Sequence, residues 1–180
     1  MKERVKPVFG RRKVAADKAV VDKNGNAVRS GLRGWLILVG IGVVLTPLRV
    51  LAELLNTYLP IFENGSYEIL TTPGTEAYHP FWSTLIWGEL SFNTIILFAW
   101  LYLGYLYFFK KRLFPKVYIW VAVISFAFVL LDASLATVVV TTAEIFNPET
   151  IQEFVRAGFL VVVWVPYMLR SKRVKVTFVN

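Results

Sequence analysis

The chain has 180 residues, of which 56% are hydrophobic, and this is more apolar than a soluble domain requires. The formal net charge is +8, but the basic residues flank apolar runs, so the charge favours orientation in a membrane over nucleic-acid binding. The chain has no cysteine and one histidine, His79, which excludes disulfides, thiolate catalysis and metal sites built from cysteines or several histidines.

The N-terminal part of the chain is strongly basic. Residues 1–33 carry ten Lys or Arg against three acidic residues. We predict that residues 1–31 form a mostly disordered cytoplasmic tail, although Asn24-Gly25 is also a signal for a hairpin turn. Each basic residue near an anionic leaflet contributes about 1 kcal/mol, so we expect the tail to lie against membrane lipids. It lacks the pattern of a cleaved signal peptide, and we expect it to be retained.

Four apolar runs follow the tail. Each is long enough to cross a hydrocarbon core of about 30 Å, which takes roughly 20 helical residues. The fold class predicted for residues 32–180 is therefore an all-α, four-helix transmembrane bundle. The predicted helices cover about 32–56, 81–109, 115–142 and 148–170. Residues 57–80 contain repeated Pro and Gly turn signals and predict an outer loop.

The positions of the basic residues predict the orientation of the bundle. Cytoplasmic loops are enriched in Lys and Arg. The tail, the link between the second and third helices and the C-terminal end are all basic, whereas residues 57–80 contain no Lys or Arg. Both termini are therefore expected in the cytoplasm.

Charged residues occur inside the apolar runs, where they are costly and usually face a bundle interior or a watery cavity. A rise of about 1.5 Å per residue brings Arg49, Glu89 and Asp132 to nearly one level in the outer third of the membrane. The predicted intramembrane polar cluster consists of Arg49, Glu53, Glu89, Asn93, Asp132 and Arg156.

Two explanations of this cluster stay open. An Arg49–Glu89 pair, with Asp132 satisfied by Arg156 or Asn93, would tie the helices together at about 1 kcal/mol per contact. Alternatively, the cluster is a site open to the outer face. In that site Arg49 would hold an anionic group, and a buried carboxyl group of Glu89 or Asp132 would carry a proton.

No catalytic motif is present. His79 and Ser83 lie near a membrane carboxylate, but no nucleophile elbow or oxyanion loop surrounds the serine. We therefore expect a protein that is not an enzyme. No motif requires a cofactor, and a bound lipid or pigment would leave no trace in the sequence.

The C-terminal stretch WVPYMLRSKRVKVTF combines an aromatic belt with a positive stop. Its candidate functional residues are Trp164, Tyr167, Ser171, Arg173, Lys175, Thr177 and Phe178. The apolar alternation of Val174, Val176 and Phe178 predicts a short strand that docks on the folded tail or on a partner.

The stretches SGLRGWLILVGIGVVLTPLR and WVPYMLRSKRVKVTF, together with TTPGTEAYHPFW and KKRLFPKVYI, resemble a bacterial membrane-protein family. This family is catalogued as domain of unknown function 2569. The resemblance covers about residue 30 to the end. It implies four helices in a bacterial inner membrane and no established activity.

The sequence leaves three functions open. We expect an accessory, assembly or scaffold subunit that binds other membrane-protein subunits. The first alternative is a small transporter or proton-coupled permease that uses Arg49, Glu89 and Asp132. The second is a membrane sensor whose outer loop binds a ligand.

Overall fold

The computed structural model of the chain describes the backbone of residues 31–139 and 148–180, and the side chains of these residues except 136–139 and 149. The predicted basic tail, apart from residue 31, and the predicted Asn24-Gly25 turn lie outside the described residues. In the described part of the chain all regular structure is helical. The predicted all-α class is therefore confirmed.

Within the described ranges, four helices are long and apolar enough to cross a membrane, as predicted. The four spans are Trp35–Glu63, Trp82–Phe108, Phe114–Leu135 and Thr150–Arg170. The helix of the third span continues to Val139, and the helix of the fourth begins at Pro148. Two short helices, Ser66–Thr71 and Lys172–Thr177, lie outside the spans.

The first span is longer than predicted. It continues to Glu63 instead of ending near residue 56, so the predicted loop 57–80 is wrong over its first third. Pro60 was expected to break the helix, because proline lacks an N–H and its ring clashes with the carbonyl group four residues earlier. The wider π-helical turn Leu54–Tyr58 directly precedes this region and lets the helix continue. The fourth span has the same arrangement, with the π-helical turn Leu160–Trp164 before Pro166.

The spans pack in chain order, first against second, second against third and third against fourth. The first and fourth also meet where the rings of Trp35 and Trp164 lie 6.2 Å apart, edge to face. Most of the tightly buried core lies at the end where the first and third spans begin. Its most buried members include Leu36, Leu103 and Phe114. We call this the packed end of the bundle.

The C-terminal segment closes the packed end as a helix, so the predicted strand is wrong. Its buried residues are Val174, Thr177 and Phe178, whose spacing of three and one matches one face of a helix rather than the alternation of a strand. Phe178 stacks on Phe114 with ring centroids 4.5 Å apart. The segment is therefore packed into the core rather than lying free.

Hydrogen bonds tie the same segment to both neighbouring links. The hydroxyl group of Thr177 accepts from the amide of Gly31 at 3.1 Å, and the amide of Arg112 donates to the carbonyl group of Asn180 at 2.8 Å. Arg173 donates to the carbonyl group of Arg33 at 3.0 Å. Gly34 has a φ of 62°, and a Cβ atom there would lie 2.7 Å from this guanidinium group, so glycine fits best.

Candidate functional site

The other half of the bundle is hollow. A cavity of about 510 Å³ lies between all four spans, in the half away from the C-terminal helix. The six residues of the predicted intramembrane polar cluster all line it: Arg49, Glu53, Glu89, Asn93, Asp132 and Arg156. Helix-depth arithmetic had placed three of them at one level, and the fold brings the complete set around one space.

Arg49 forms its ion pair with its own helix. Its guanidinium nitrogen lies 3.2 Å from a carboxylate oxygen of Glu53, one turn later. The predicted Arg49–Glu89 pair is therefore wrong as the main contact of Arg49, because residues four apart on one helix already lie side by side. The Arg49 side chain stays 43% exposed, so the pair borders the cavity and is not sealed inside a core.

Tyr58 connects the first span to the second. Its hydroxyl group donates to Glu89 at 2.8 Å and accepts from the side-chain amide of Asn93 at 3.3 Å. The tyrosine is buried and lies in the π-helical turn of the first span. Tyr58 falls in the predicted loop 57–80 and is not one of the predicted site residues. Pro60 follows this turn directly.

Glu89 of the second span and Asp132 of the third face each other, close enough for their carboxyl groups to interact. Asn93 was predicted to contact Asp132, but its side-chain amide donates to the hydroxyl group of Tyr58 instead. The carboxyl pair therefore has Tyr58, a neutral donor, as its ordered polar neighbour.

Glu153 of the fourth span also lines the cavity, although it is not one of the predicted cluster residues. Its carboxyl group contacts that of Glu53 and lies within electrostatic range of Arg49 and Arg156. The described lining thus contains four carboxyl groups and two guanidinium groups. Both guanidinium groups lie within electrostatic range of Glu153, which also interacts with Glu89, whereas no ion pair joins a guanidinium group to Glu89 or Asp132 in the described residues.

The inner end of the cavity is mostly apolar. Ile96 and Trp100 are buried there, and Phe92 of the second span stacks on Phe128 of the third at 3.5 Å. Ser125 also lines the cavity, and its hydroxyl oxygen is buried without a hydrogen-bond partner in the described structure. A bound molecule or water in the cavity would supply that partner.

The residues predicted from the C-terminal motif lie at the packed end, away from the cavity. Trp164 and Met168 are buried, and the rings of Trp164 and Tyr167 meet edge to face at 5.8 Å. Ser171 caps the last helix by accepting from the amide of Val174, and Lys175 is exposed. Their observed contacts are those of a structural closure.

The segment between the first and second spans, residues 64–81, is held by aromatic side chains. The hydroxyl groups of Tyr67 and Ser83 hydrogen-bond at 3.2 Å, and the indole of Trp87 donates to the same tyrosine at 3.1 Å. The hydrogen bond with Ser83, and to a smaller extent the one with Trp87, holds the pKa of Tyr67 below its ordinary value. His79 accepts from the amide of Phe81, so Ser83 and His79 have different partners.

Chemically, the cavity offers carboxyl groups in excess over guanidinium groups, hydroxyl donors and an apolar floor. Such a mixture suits a small molecule bearing a positive charge. Among the described residues, no three or more histidine, aspartate or glutamate side chains are grouped to hold a metal ion.

Comparison with known proteins gives a lineage. No curated protein and no solved structure matches the chain. A family model described as "Protein of unknown function (DUF2569)" matches residues 29–179, which is most of the chain. The match includes the four helices that are long enough to span a membrane, residues 64–81 and the C-terminal helix Lys172–Thr177. The chain therefore belongs to this family of unknown function.

Proposed function

We propose that this protein is a small transporter. Its cavity is the substrate site, which binds a small, positively charged solute inside the membrane. One observation carries the proposal, namely the cavity of about 510 Å³ into which all four spans send charged side chains. Cavities of about 300 to 1,000 Å³ are typical of small-molecule sites. Charges that only tie helices together need direct contact and no intervening space.

The distribution of charge favours a cation. Arg49 is paired with Glu53, and Arg156 lies within electrostatic range of Glu153. The Glu89–Asp132 pair is left with Tyr58 as its donor. Charged residues inside membranes commonly mark the paths of substrates and protons. A positive group in the cavity, in contact with both carboxyl groups, would complete the site, and protons would take its place when the solute leaves.

The experiment is thermal unfolding of the full chain in lipid nanodiscs. A ligand that binds only the folded state at a hundredfold excess over its Kd stabilises it by about 2.7 kcal/mol. We expect tetramethylammonium to raise the melting temperature and acetate to leave it unchanged. Glu89→Gln and Asp132→Asn should each lose the shift, while Glu68→Gln on the exposed outer helix should keep it. A shift that survives Glu89→Gln, or none in the wild type, contradicts the proposal.

A second function has separate support. The second span exposes a row of apolar residues whose alternating spacing of three and four matches the seam of a helix pair. The row consists of Ile95, Phe98, Tyr102, Tyr105 and Phe109. It is continuous over four turns, and it supports the alternative that the chain is an accessory subunit of a membrane complex.

The accessory role is tested on that row. Phe98→Ala combined with Tyr102→Ala should dissolve a complex seen by native gel electrophoresis of gently extracted membranes. Trp120→Ala is the matched control, because Trp120 is also a highly exposed aromatic side chain but lies on the third span. Equal migration of both variants and the wild type would argue against an interface on this row.

The proposed location is a bacterial inner membrane with both termini in the cytoplasm. The packed end carries nine Lys or Arg among its described residues: Arg33, Lys110, Lys111, Arg112, Lys116, Arg170, Lys172, Arg173 and Lys175. Residues 64–81, which join the first and second spans at the other end, contain none. This asymmetry is the usual one for a packed end in the cytoplasm.

A further inference from the structure

A second cavity adjoins the first. It is a groove of about 320 Å³ between the second and third spans. Leu85, Leu131 and Leu135 supply much of its wall, so its surface is almost wholly apolar. The groove and the polar cavity are lined by different residues, except for three that line both.

The shared residues are Glu89, Phe128 and Asp132. The two carboxyl groups face each other, and they form the boundary between the polar cavity and the apolar groove. An apolar groove thus ends at the carboxyl pair that has no guanidinium partner in the described structure. On the polar side, the buried hydroxyl group of Ser125 also lacks a hydrogen-bond partner there.

This boundary selects among ligand classes. An anion would be repelled by the carboxyl pair, and a wholly apolar molecule would leave these half-buried carboxyl groups with the Tyr58 hydroxyl group as their hydrogen-bond donor and no positive charge. A small polar cation would fill the cavity but leave the groove unused. A molecule with a positive head and an apolar tail satisfies both spaces together.

We propose that the ligand is an amphiphilic cation, whose ammonium head lies in the polar cavity against Glu89 and Asp132 and whose apolar tail occupies the groove between the second and third spans. This inference rests on the proposed function and adds the class of the substrate. The polar cavity would then hold the head and its water, and the groove would set the preference for tail length.

Gly88 provides a direct way to test the groove. It lies in the groove wall, and a Cβ atom added there would meet no other atom within 4 Å. A larger side chain at this position can therefore enter the groove without displacing a packed neighbour. Gly42 of the first span is equally open but lines neither cavity, so it is the matched control.

The experiment measures binding of tetramethylammonium, butyltrimethylammonium and octyltrimethylammonium to the full chain in nanodiscs, with binding to empty nanodiscs subtracted. Each buried methylene should lower the Kd about fourfold. Gly88→Leu should remove this dependence on tail length. Gly42→Leu should retain the dependence.

The outcomes separate the two proposals. If octyltrimethylammonium binds no more tightly than tetramethylammonium, and both require Glu89, the amphiphile is refuted while the cation site stands. If no ammonium ion binds the wild type, both proposals fail. The tail-length series on the wild type decides the question even if Gly88→Leu does not fold. Full retention of the tail-length preference in a folded Gly88→Leu variant overturns the placement of the tail.

Discussion

Tyr58 is the residue that joins the polar clusters of the first two spans. Its hydroxyl group is both the donor to Glu89 and the acceptor from Asn93. We expect Tyr58→Phe to destabilise the folded protein by about 1 kcal/mol, because hydrogen bonds between membrane helices are of this size. Thermal unfolding in nanodiscs measures the change, with Tyr102→Phe on the exposed face of the second span as control. Equal loss in both variants would mean that the Tyr58 bonds contribute nothing specific.

Gly40 lies where the first two spans approach each other closely. The hydroxyl group of Tyr107 donates to the carbonyl group of Leu36 at 2.7 Å, and a Cβ atom at Gly40 would lie 2.5 Å from that hydroxyl oxygen. Gly40→Ala should therefore cost about 1 to 3 kcal/mol, as overpacking in a core usually does. Gly42→Ala, in open space on the same helix, should cost nothing measurable in the same unfolding assay. A neutral Gly40→Ala would show that the tyrosine can move away without loss.

At the scale of elements, the spans were predictable and their interruptions were not. Hydropathy placed the ends of the second span within one residue, Trp82–Phe108 against a predicted 81–109. It failed at Pro60, because the rule that proline ends a helix does not include a preceding π-helical turn. It failed again after Ser171, where an apolar alternation suggested a strand. The burial of Thr177 beside Phe178 fits only the helical spacing.

The C-terminal helix has its own prediction. Phe178 is buried and stacked on Phe114, so Phe178→Ala should destabilise the bundle by about 3 to 5 kcal/mol. Val179→Ala changes an exposed neighbour and should leave stability unchanged. Thermal unfolding compares the stability of the two variants. In limited proteolysis, the C-terminal segment of the Phe178→Ala variant should be cleaved faster than that of Val179→Ala. A small effect from Phe178→Ala would mean that the segment is only loosely attached.

At the scale of the whole molecule, six residues of the polar cavity were predictable, whereas Tyr58, Glu153 and the pairing of the charges were not. Counting residues from the expected interfaces gives the depth of a charge, and depth alone brought Arg49, Glu89 and Asp132 to one level. Pairing depends on the rotation of each helix, which the sequence does not specify. Arg49 therefore turned out to pair along its own helix, and Glu89 with a tyrosine from a predicted loop.

The orientation of the whole bundle decides which side of the membrane supplies the solute. We expect a C-terminal alkaline phosphatase fusion to be inactive, because that enzyme works only outside the cytoplasm and the packed end is basic. Alkaline phosphatase inserted after Gly74, an exposed turn position with a φ of 100°, should be active. A green fluorescent protein fusion at the C-terminus is the complementary control and should fluoresce. The reverse pattern would put the cavity on the cytoplasmic side of the membrane. The solute would then have to enter from the cytoplasm, because the packed end closes the other side.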